Sequence, residues 1–173
     1  IYGLTKNQTS PTSQKGLSTQ SHPTGSYLDP INPIRFALGL GASFVASTAE
    51  WLGKHFVETL DAAFQHPGFS FIHVAQRCPK FNPGAWDYKN SSWITFLEHD
   101  QGINADLKGA ADATSIQHDP TNYAQAIEMS AGVPSVFGLF YREEKVMYDQ
   151  EIRDNIKNTP QKDPDHLLDS FVI

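Results

Sequence analysis

The stretch SFVASTAEWLGKHFVETLDAAFQHPGFSFIHVAQRC, residues 43–78, decides the fold. Residues 43–47 predict a short buried strand, and residues 69–78 predict a second strand whose apolar start is typical of parallel strands covered by helices. The residues between them predict a helix, with start signals at Ser47, Thr48 and Glu50, an apolar stripe of Leu52, Phe56, Leu60, Ala63 and Phe64, and an end at Pro67 and Gly68. Strand, helix and strand with short connections form a βαβ unit, so we predict an α/β fold with a mostly parallel sheet covered by helices.

Upstream of this unit, residues 1–30 are rich in Ser, Thr, Gly and Pro and carry few charges. Such a stretch is either a functional loop or a disordered segment, and composition leaves both interpretations open. Asn32 then provides an N-cap and Pro33 suits the first helical position, so we expect a short helix that ends at Gly39 or Gly41. A helix-terminating glycine is favoured here over a phosphate-binding turn.

Downstream of the unit, the sequence predicts four further elements. Residues 92–103 indicate a short helix, residues 121–131 a second helix, residues 135–141 a strand, and residues 143–158 a surface helix with acidic and basic neighbours. The tail from Thr159 onward is expected to be ordered only if it docks on a partner.

Composition excludes several classes of protein. The chain has 173 residues, which suits one compact domain, and its net charge of -6 comes without any block of Lys and Arg. Nucleic acid is therefore not an expected partner. We expect no membrane span and no signal peptide. Cys78 is the single cysteine, so no disulfide can form within the chain, and the cytoplasm is the simpler compartment.

Common catalytic motifs are absent from the sequence. The seven histidines show no paired spacing of the HExxH kind, so a zinc site is not expected. Neither a GxSxG nucleophile elbow nor a phosphate loop with Gly-Lys-Ser/Thr occurs. Hydrolase chemistry of these kinds has no support.

Two residues allow a functional interpretation beside a structural one. Cys78, followed by Pro79, is either a half-buried structural thiol or one metal ligand at a strand end, and alone it cannot hold a 4Fe-4S cluster, which needs four thiolates. Lys6 is either a solvated surface lysine or a cation at the carboxyl end of a strand, where α/β folds bind ligands.

Taken together, the motifs around these two residues resemble the β subunit of 2-oxoacid:ferredoxin oxidoreductases, favouring the 2-oxoglutarate type. The shared features occur in family order: YGLTKNQTSPT at residues 2–12, Asn32-Pro33, GASFVA at residues 41–46, HPGF at residues 66–69, and CPKFN at residues 78–82. Residues 118–141 resemble the family more loosely.

The resemblance implies the C-terminal part of a thiamine diphosphate-binding domain over residues 1–100 and a C-terminal extension over residues 101–173. It implies oxidative decarboxylation of a 2-oxoacid, 2-oxoglutarate or pyruvate, to an acyl-CoA, with thiamine diphosphate, Mg²⁺ and a 4Fe-4S cluster as cofactors. Implied partners are the α subunit, an N-terminal part of the β subunit, ferredoxin and coenzyme A. The family's acidic diphosphate motif and its other three cluster cysteines do not occur in this sequence.

Site roles follow from the resemblance residue by residue. The Ile1 backbone carbonyl is implied as a Mg²⁺ ligand, and the segment Ile1, Tyr2, Gly3, Leu4 and Thr5 as the cofactor contact. The Leu4 amide is implied to donate to the substrate, and Lys6 to pair with its carboxylate, which suits a fixed ammonium in a water-poor site. Cys78 is implied as the fourth cluster ligand.

Three positions depart from the family pattern. Asn7 replaces the usual glycine, which the left-handed conformation tolerates in Asn, Ser47 stands where many members carry Arg, and His73 where many carry Glu. The alternatives to an active oxidoreductase are a non-catalytic scaffold subunit that keeps the fold, or a thiamine diphosphate enzyme without a cluster.

Overall fold

The computed structural model describes residues 6–81, 84–105 and 108–159. The predicted α/β class is confirmed: five strands form one sheet, and helices pack on it. In chain order the elements are α1 (Pro33–Gly39), β1 (Phe44–Ala49), α2 (Gly53–Gln65), β2 (Ser70–Ala75), β3 (Thr95–Glu98), β4 (Thr114–Gln117), α3 (Tyr123–Met129), a 3-10 turn (Ser130–Gly132), β5 (Val136–Arg142) and α4 (Tyr148–Asn158).

The sheet is mixed but mostly parallel, with the strand order β2-β1-β5-β3-β4. The pairs β1/β2, β3/β5 and β3/β4 are parallel, and only β1/β5 is antiparallel. The predicted βαβ unit is therefore present as β1, α2 and β2. Because β5 lies between β1 and β3, the part of the chain beyond residue 100 contributes an inner strand to the same sheet.

Helices cover both faces of this sheet around β1, in which all six residues are buried. Val45 packs in one cluster with Ile34 and Leu38 of α1 and with Ala126 of α3. Its neighbours Phe44 and Ala46 pack in another cluster with Ala63 of α2. Since successive side chains of a strand point to opposite faces, α1 and α3 lie on one face and α2 on the other.

Local signals set the two ends of α1 as the sequence predicts. The Asn32 side chain accepts a hydrogen bond from the Arg35 amide at 3.0 Å, and Pro33 occupies the first helical position. At the other end Gly41 has a φ of 77°. Its amide bonds the Leu38 carbonyl at 3.0 Å, and the Ala42 amide bonds the Ala37 carbonyl at 3.1 Å. This pair of bonds terminates the helix, so Gly41 is a C-cap glycine.

The predicted start and buried face of α2 are wrong in part. Thr48 lies inside β1, where its hydroxyl is 2.8 Å from His55 Nδ1 instead of capping the helix, and the N-cap residue Leu52 makes no side-chain cap bond. The helix buries His55, Thr59 and Ala63 against the sheet. His55 fits there because it also packs on the ring of Phe96. Of the predicted apolar stripe, Leu52 and Ala63 are buried, whereas Leu60 and Phe64 are 43% and 91% exposed.

Two further predictions are corrected downstream. Residues 92–103 contain strand β3 and not a short helix, because residues 95–98 pair with β4, and Thr95 and Phe96 also pair with β5. Strand β2 ends at Ala75, three residues before the predicted end at Cys78. The predicted helix at residues 121–131 and the strand at residues 135–141 are confirmed as α3 and β5. The helix predicted over residues 143–158 is present as α4, but it begins only at Tyr148.

Candidate functional site

The segment before α1, residues 6–31, is a folded loop that forms its own hydrogen bonds. The Gly16 amide bonds the Ser26 carbonyl at 2.8 Å, and the Ile31 amide bonds the Pro11 carbonyl at 2.8 Å. Thr9 Oγ1 lies 3.1 Å from His22 Nδ1 across the loop. Of the two interpretations of this segment, the structure supports a loop with a defined conformation.

This loop surrounds a cavity of about 490 Å³. Its lining is mostly apolar, although hydroxyl residues and His22 contribute to it: Thr9, Ser10, Ser13, His22, Ser26, Tyr27 and Leu28. Ser10 Oγ lies 3.3 Å from Ser13 Oγ, which also accepts from the Ser10 amide at 2.8 Å. The cavity is large enough to hold a small ligand, but the residues that line it do not indicate which ligand would bind.

Lys6 begins the described part of this loop and is exposed. Within residues 6–81, 84–105 and 108–159, its ammonium makes no ion pair, so it is available to an anionic ligand. Asn7 has a φ of 53°, which confirms that Asn occupies a left-handed position there. The other residues of the implied cofactor site, Ile1, Tyr2, Gly3, Leu4 and Thr5, lie outside the described residues.

Ser47 and His73 are neighbours across β1 and β2, because the parallel register pairs these two positions. Ser47 is fully buried. Within the described part of the chain, neither Ser47 Oγ nor His73 Nδ1 has a hydrogen-bond partner. Burial lowers the pKa of His73 below its ordinary value, so the pair is neutral at pH 7. Where many members of the resembled family carry an Arg and a Glu, this chain places an uncharged pair.

Cys78 carries a free, half-buried thiol in the loop that follows β2. Partial exposure leaves the sulfur accessible to a group bound from outside the chain, while the backbone around it is fixed by neighbours. Both interpretations, structural thiol and metal ligand, fit this degree of burial. Among the residues that the structure describes, no group of three or more His, Cys, Asp or Glu side chains could hold a metal ion. A cluster at Cys78 would thus need ligands from outside these residues.

The residue before Cys78 is held by charge and by an aromatic ring. The Arg77 guanidinium forms an ion pair with Glu50, directly after β1, and lies 4.5 Å from the centre of the Tyr88 ring. The hydrogen bond from Arg77 holds the pKa of Glu50 below its ordinary value. The sequence interpretation missed this arrangement, because it used Glu50 only as a helix start signal and gave Arg77 and Tyr88 no role.

All three tryptophans of the chain form one cluster beside this loop. The rings of Trp86 and Trp93 stack with centres 5.6 Å apart, and Trp51 lies 6.0 Å from Trp86. Trp86 Nε1 donates to the Gln76 carbonyl at 3.0 Å. The only sequence signal for this cluster is the density of aromatic residues between positions 81 and 93.

None of the helices that the structure describes is both long enough and apolar enough to cross a membrane.

Comparison with known proteins finds a family model, several relatives and a solved structure that are similar to the chain. A family model described as the thiamine pyrophosphate enzyme, C-terminal TPP binding domain, matches residues 1–74. That range contains Lys6, α1 and most of the βαβ unit.

Among relatives, the 2-oxoglutarate oxidoreductase subunit KorB of Mycobacterium tuberculosis is 46% identical over 87 residues, which is 50% of this chain and 23% of that protein. The 2-oxoacid:ferredoxin oxidoreductase subunit beta of Saccharolobus solfataricus is 30% identical over 172 residues, which is 99% of this chain and 55% of that protein. The chain thus spans about half the length of the relative that it matches from end to end.

A solved structure shares the fold. It is the 2-oxoglutarate:ferredoxin oxidoreductase from Magnetococcus marinus with 2-oxoglutarate, coenzyme A and succinyl-CoA bound. The TM-score is 0.76 at 24% identity, and the match covers 100% of this chain and 55% of that chain.

Proposed function

We propose that the chain forms part of a 2-oxoacid:ferredoxin oxidoreductase, because it is similar over nearly its whole length to about half of the β subunit of such an enzyme. The complex would oxidatively decarboxylate a 2-oxoacid to an acyl-CoA and pass the electrons to ferredoxin. The observation that carries the proposal is the end-to-end match at 30% identity. Lys6 and Cys78 add support because each stands in a stretch that resembles a family motif.

Two donor groups of this chain would serve the cofactors. The Ile1 carbonyl would be a ligand of Mg²⁺, and the segment from Ile1 to Thr5 would line thiamine diphosphate. Cys78 would supply one thiolate to a 4Fe-4S cluster. Its thiol is free and half-buried, so the one donor that the described residues offer fits a shared cluster whose other ligands lie elsewhere. When bound, thiamine diphosphate supplies the decarboxylation chemistry and the cluster the one-electron transfer.

Lys6 would bind the substrate carboxylate, and the Leu4 amide would donate a hydrogen bond beside it. An ammonium that makes no ion pair within the described residues can meet an incoming carboxylate without first breaking a contact. In a site from which water is excluded, such a charge-assisted hydrogen bond is strong and directional. This contact would orient the substrate and would not itself transfer a proton.

The substrate is proposed to be 2-oxoglutarate in preference to pyruvate. Support comes from the names of the Mycobacterium relative and of the Magnetococcus enzyme, both of which are 2-oxoglutarate oxidoreductases. Partners would be an α subunit, the N-terminal part of a β subunit, coenzyme A and ferredoxin, in the cytoplasm. Lys6 is the residue through which this chain would contact the 2-oxoacid.

The experiment is dye reduction by the complete complex, with one component omitted at a time. We expect a viologen dye to be reduced only when a 2-oxoacid, coenzyme A and thiamine diphosphate are all present, and 2-oxoglutarate to give a higher kcat/KM than pyruvate. Reduction that is independent of the 2-oxoacid would refute the proposal. A complex that assembles but never reduces the dye would favour the scaffold alternative.

Lys6→Ala tests the role of the lysine in the same assay. Loss of a charge-assisted hydrogen bond should raise KM for the 2-oxoacid by roughly tenfold or more, while the cluster absorbance stays unchanged. Lys15→Ala is the matched control, because Lys15 lies in the same loop but is paired with Asp29 at 3.1 Å. Equal KM values for the two variants would contradict the assignment of Lys6.

A further inference from the structure

The loop formed by residues 84–93, here called the tryptophan loop, lies against the segment that leads into Cys78. It contains Trp86, Tyr88 and Trp93, and its conformation is set by local hydrogen bonds. Asp87 Oδ1 accepts from the Lys89 amide at 3.3 Å and from the Asn90 amide at 3.2 Å. These bonds close a compact turn, which presents its aromatic side chains in fixed directions.

The tryptophan loop is anchored to the body of the sheet. Trp93 packs edge-on against Phe137 of β5 with ring centres 6.1 Å apart, and Trp51 joins Trp86 and Trp93 from the connection between β1 and α2. The cluster extends to the buried side chains of Leu52 and Phe96. Aromatic pairs of this kind add stabilisation beyond the area that they bury, so the loop has a rigid base.

From this base, two contacts reach the two residues before Cys78. Trp86 Nε1 donates to the backbone carbonyl of Gln76 at 3.0 Å. The ring of Tyr88 lies under the Arg77 guanidinium at 4.5 Å, while Glu50 pairs with the same guanidinium. Gln76 and Arg77 lie between the end of β2 and Cys78, which forms an isolated β-bridge, so these side-chain contacts hold the two residues that join β2 to that bridge.

We propose that Trp86 and Tyr88 are positioning residues that fix the backbone leading into Cys78 and thereby hold its thiol in one place. The inference rests on the proposed role of Cys78 as a cluster ligand, since a ligand must be held in position by the residues around it. Neither residue touches the cluster itself. Their effect is on the fraction of time for which the sulfur occupies its binding position.

Alkylation of Cys78 by a bulky maleimide tests this inference, because the chain contains one cysteine. The rate is measured on the full chain at pH 7 by mass spectrometry. Loss of one hydrogen bond to a backbone carbonyl should free the segment more often, so Trp86→Phe should react about fivefold faster than the wild type. Trp93→Phe is the matched control: it removes the same ring volume from the same cluster, but its Nε1 donates to Asp87 within the loop at 2.9 Å. It should stay within about twofold of the wild type.

Tyr88 provides a second pair of variants. Tyr88→Leu removes the ring face under Arg77 and should speed alkylation by about threefold, whereas Tyr88→Phe retains the face and should stay close to the wild type. This pair keeps the inference falsifiable if Trp86→Phe does not fold, which circular dichroism would reveal. Equal rates for Trp86→Phe and Trp93→Phe, or for Tyr88→Leu and Tyr88→Phe, would overturn the inference.

The complete complex separates this inference from the proposed function. There the decay of the cluster absorbance in the presence of an iron chelator should be faster for Trp86→Phe than for Trp93→Phe. If an intact cluster persists after Cys78→Ser, the cluster role of Cys78 fails, and the alkylation rates still decide whether the tryptophan loop positions the thiol. If the alkylation rates do not differ, the positioning role fails whatever the cluster does.

Discussion

Asn32 is expected to be a large single contributor to stability, because its side chain forms two bonds that join distant parts of the chain. Oδ1 caps α1 by accepting from the Arg35 amide at 3.0 Å, and Nδ2 donates to the Ser130 carbonyl at 2.8 Å. Ser130 is fully buried and follows α3. Asn32 therefore links the end of the folded loop, the start of α1 and the 3-10 turn beyond α3.

The cost of Asn32→Ala follows from these two bonds. Loss of an N-cap costs about 1 kcal/mol, and loss of the bond to the Ser130 carbonyl, which still accepts from the Val133 amide at 3.2 Å, costs about 1 kcal/mol more. The free energy of unfolding should thus fall by about 2 kcal/mol, which for a chain of this size lowers Tm by roughly 4 to 8 °C. Asn32→Ser keeps a good capping hydroxyl but cannot reach Ser130, so it should lose about half as much.

Urea unfolding followed by tryptophan fluorescence and by circular dichroism measures both variants. The two probes should give coincident transitions with unchanged m-values, so that a shift in the midpoint reports stability. A loss below about 0.5 kcal/mol for Asn32→Ala would refute the two-bond account. Equal losses for Asn32→Ala and Asn32→Ser would show that the cap contributes nothing and that the Ser130 bond carries the whole effect.

Three further predictions use the same unfolding assay. Gly68→Ala should destabilise the protein by about 2 to 4 kcal/mol, because Gly68 has a φ of 147° and a Cβ there would lie 2.5 Å from Ser43 Oγ, which bonds His66. Gly39→Ala, in α1 with nothing within 4 Å, should instead be neutral or stabilising, and a similar loss in both variants would contradict this reasoning. Ser47→Ala should stabilise the protein by about 1 kcal/mol, since it removes a buried hydroxyl that has no partner within the described residues, whereas destabilisation would show that the hydroxyl is bonded. Burial lowers the pKa values of His66 and His118 in the folded state, so their neutral forms contribute stability that is complete above the unfolded pKa of about 6.5 and is lost as the pH falls below it. The urea midpoint should therefore decrease as the pH is lowered from 7.5 to 5.5. An unchanged or rising midpoint would contradict the assignment.

Elements whose ends are marked by local chemistry could be predicted from the sequence. Asn32, Pro33 and Gly41 mark α1 because capping depends on residues within one turn of the helix end. Strand β1 could be predicted because its run of small and apolar residues is buried on both faces. The left-handed backbone at Asn7, with a φ of 53°, fits the glycine that the resembled family usually carries at this position.

Elements that depend on distant partners could not be predicted from the sequence. Ile94, Phe96 and Leu97 of the β3 region are all buried, and a short apolar run buried on both faces has no period that distinguishes a strand from a helix. Strand β4 is exposed along its whole length and contains a single large apolar residue, so only its pairing with β3 defines it. The buried face of α2 was misjudged because Thr48 and Phe96, far apart in the chain, both provide partners for His55.

The residues of the candidate site likewise fall into two groups: those that local motifs predict and those whose contacts depend on tertiary packing. Motif order predicted Lys6 and Cys78, since each stands in a stretch that resembles a known family. The neighbour relation of Ser47 and His73 depends on strand register, and the contacts of Trp86 and Tyr88 with the residues before Cys78 depend on the path of a loop. Register and loop path are set by tertiary packing, and no local pattern in the sequence encodes them.

Electron paramagnetic resonance of the complete complex tests the central claim most directly. On addition of 2-oxoglutarate and coenzyme A to the complex that contains thiamine diphosphate, we predict the signal of a reduced 4Fe-4S cluster. Cys78→Ser should abolish or alter this signal, whereas Trp93→Phe should leave it unchanged. A fully assembled complex with intact Cys78 that contains no iron, or a cluster signal that does not respond to any 2-oxoacid, would contradict the assignment of this chain to a 2-oxoacid:ferredoxin oxidoreductase.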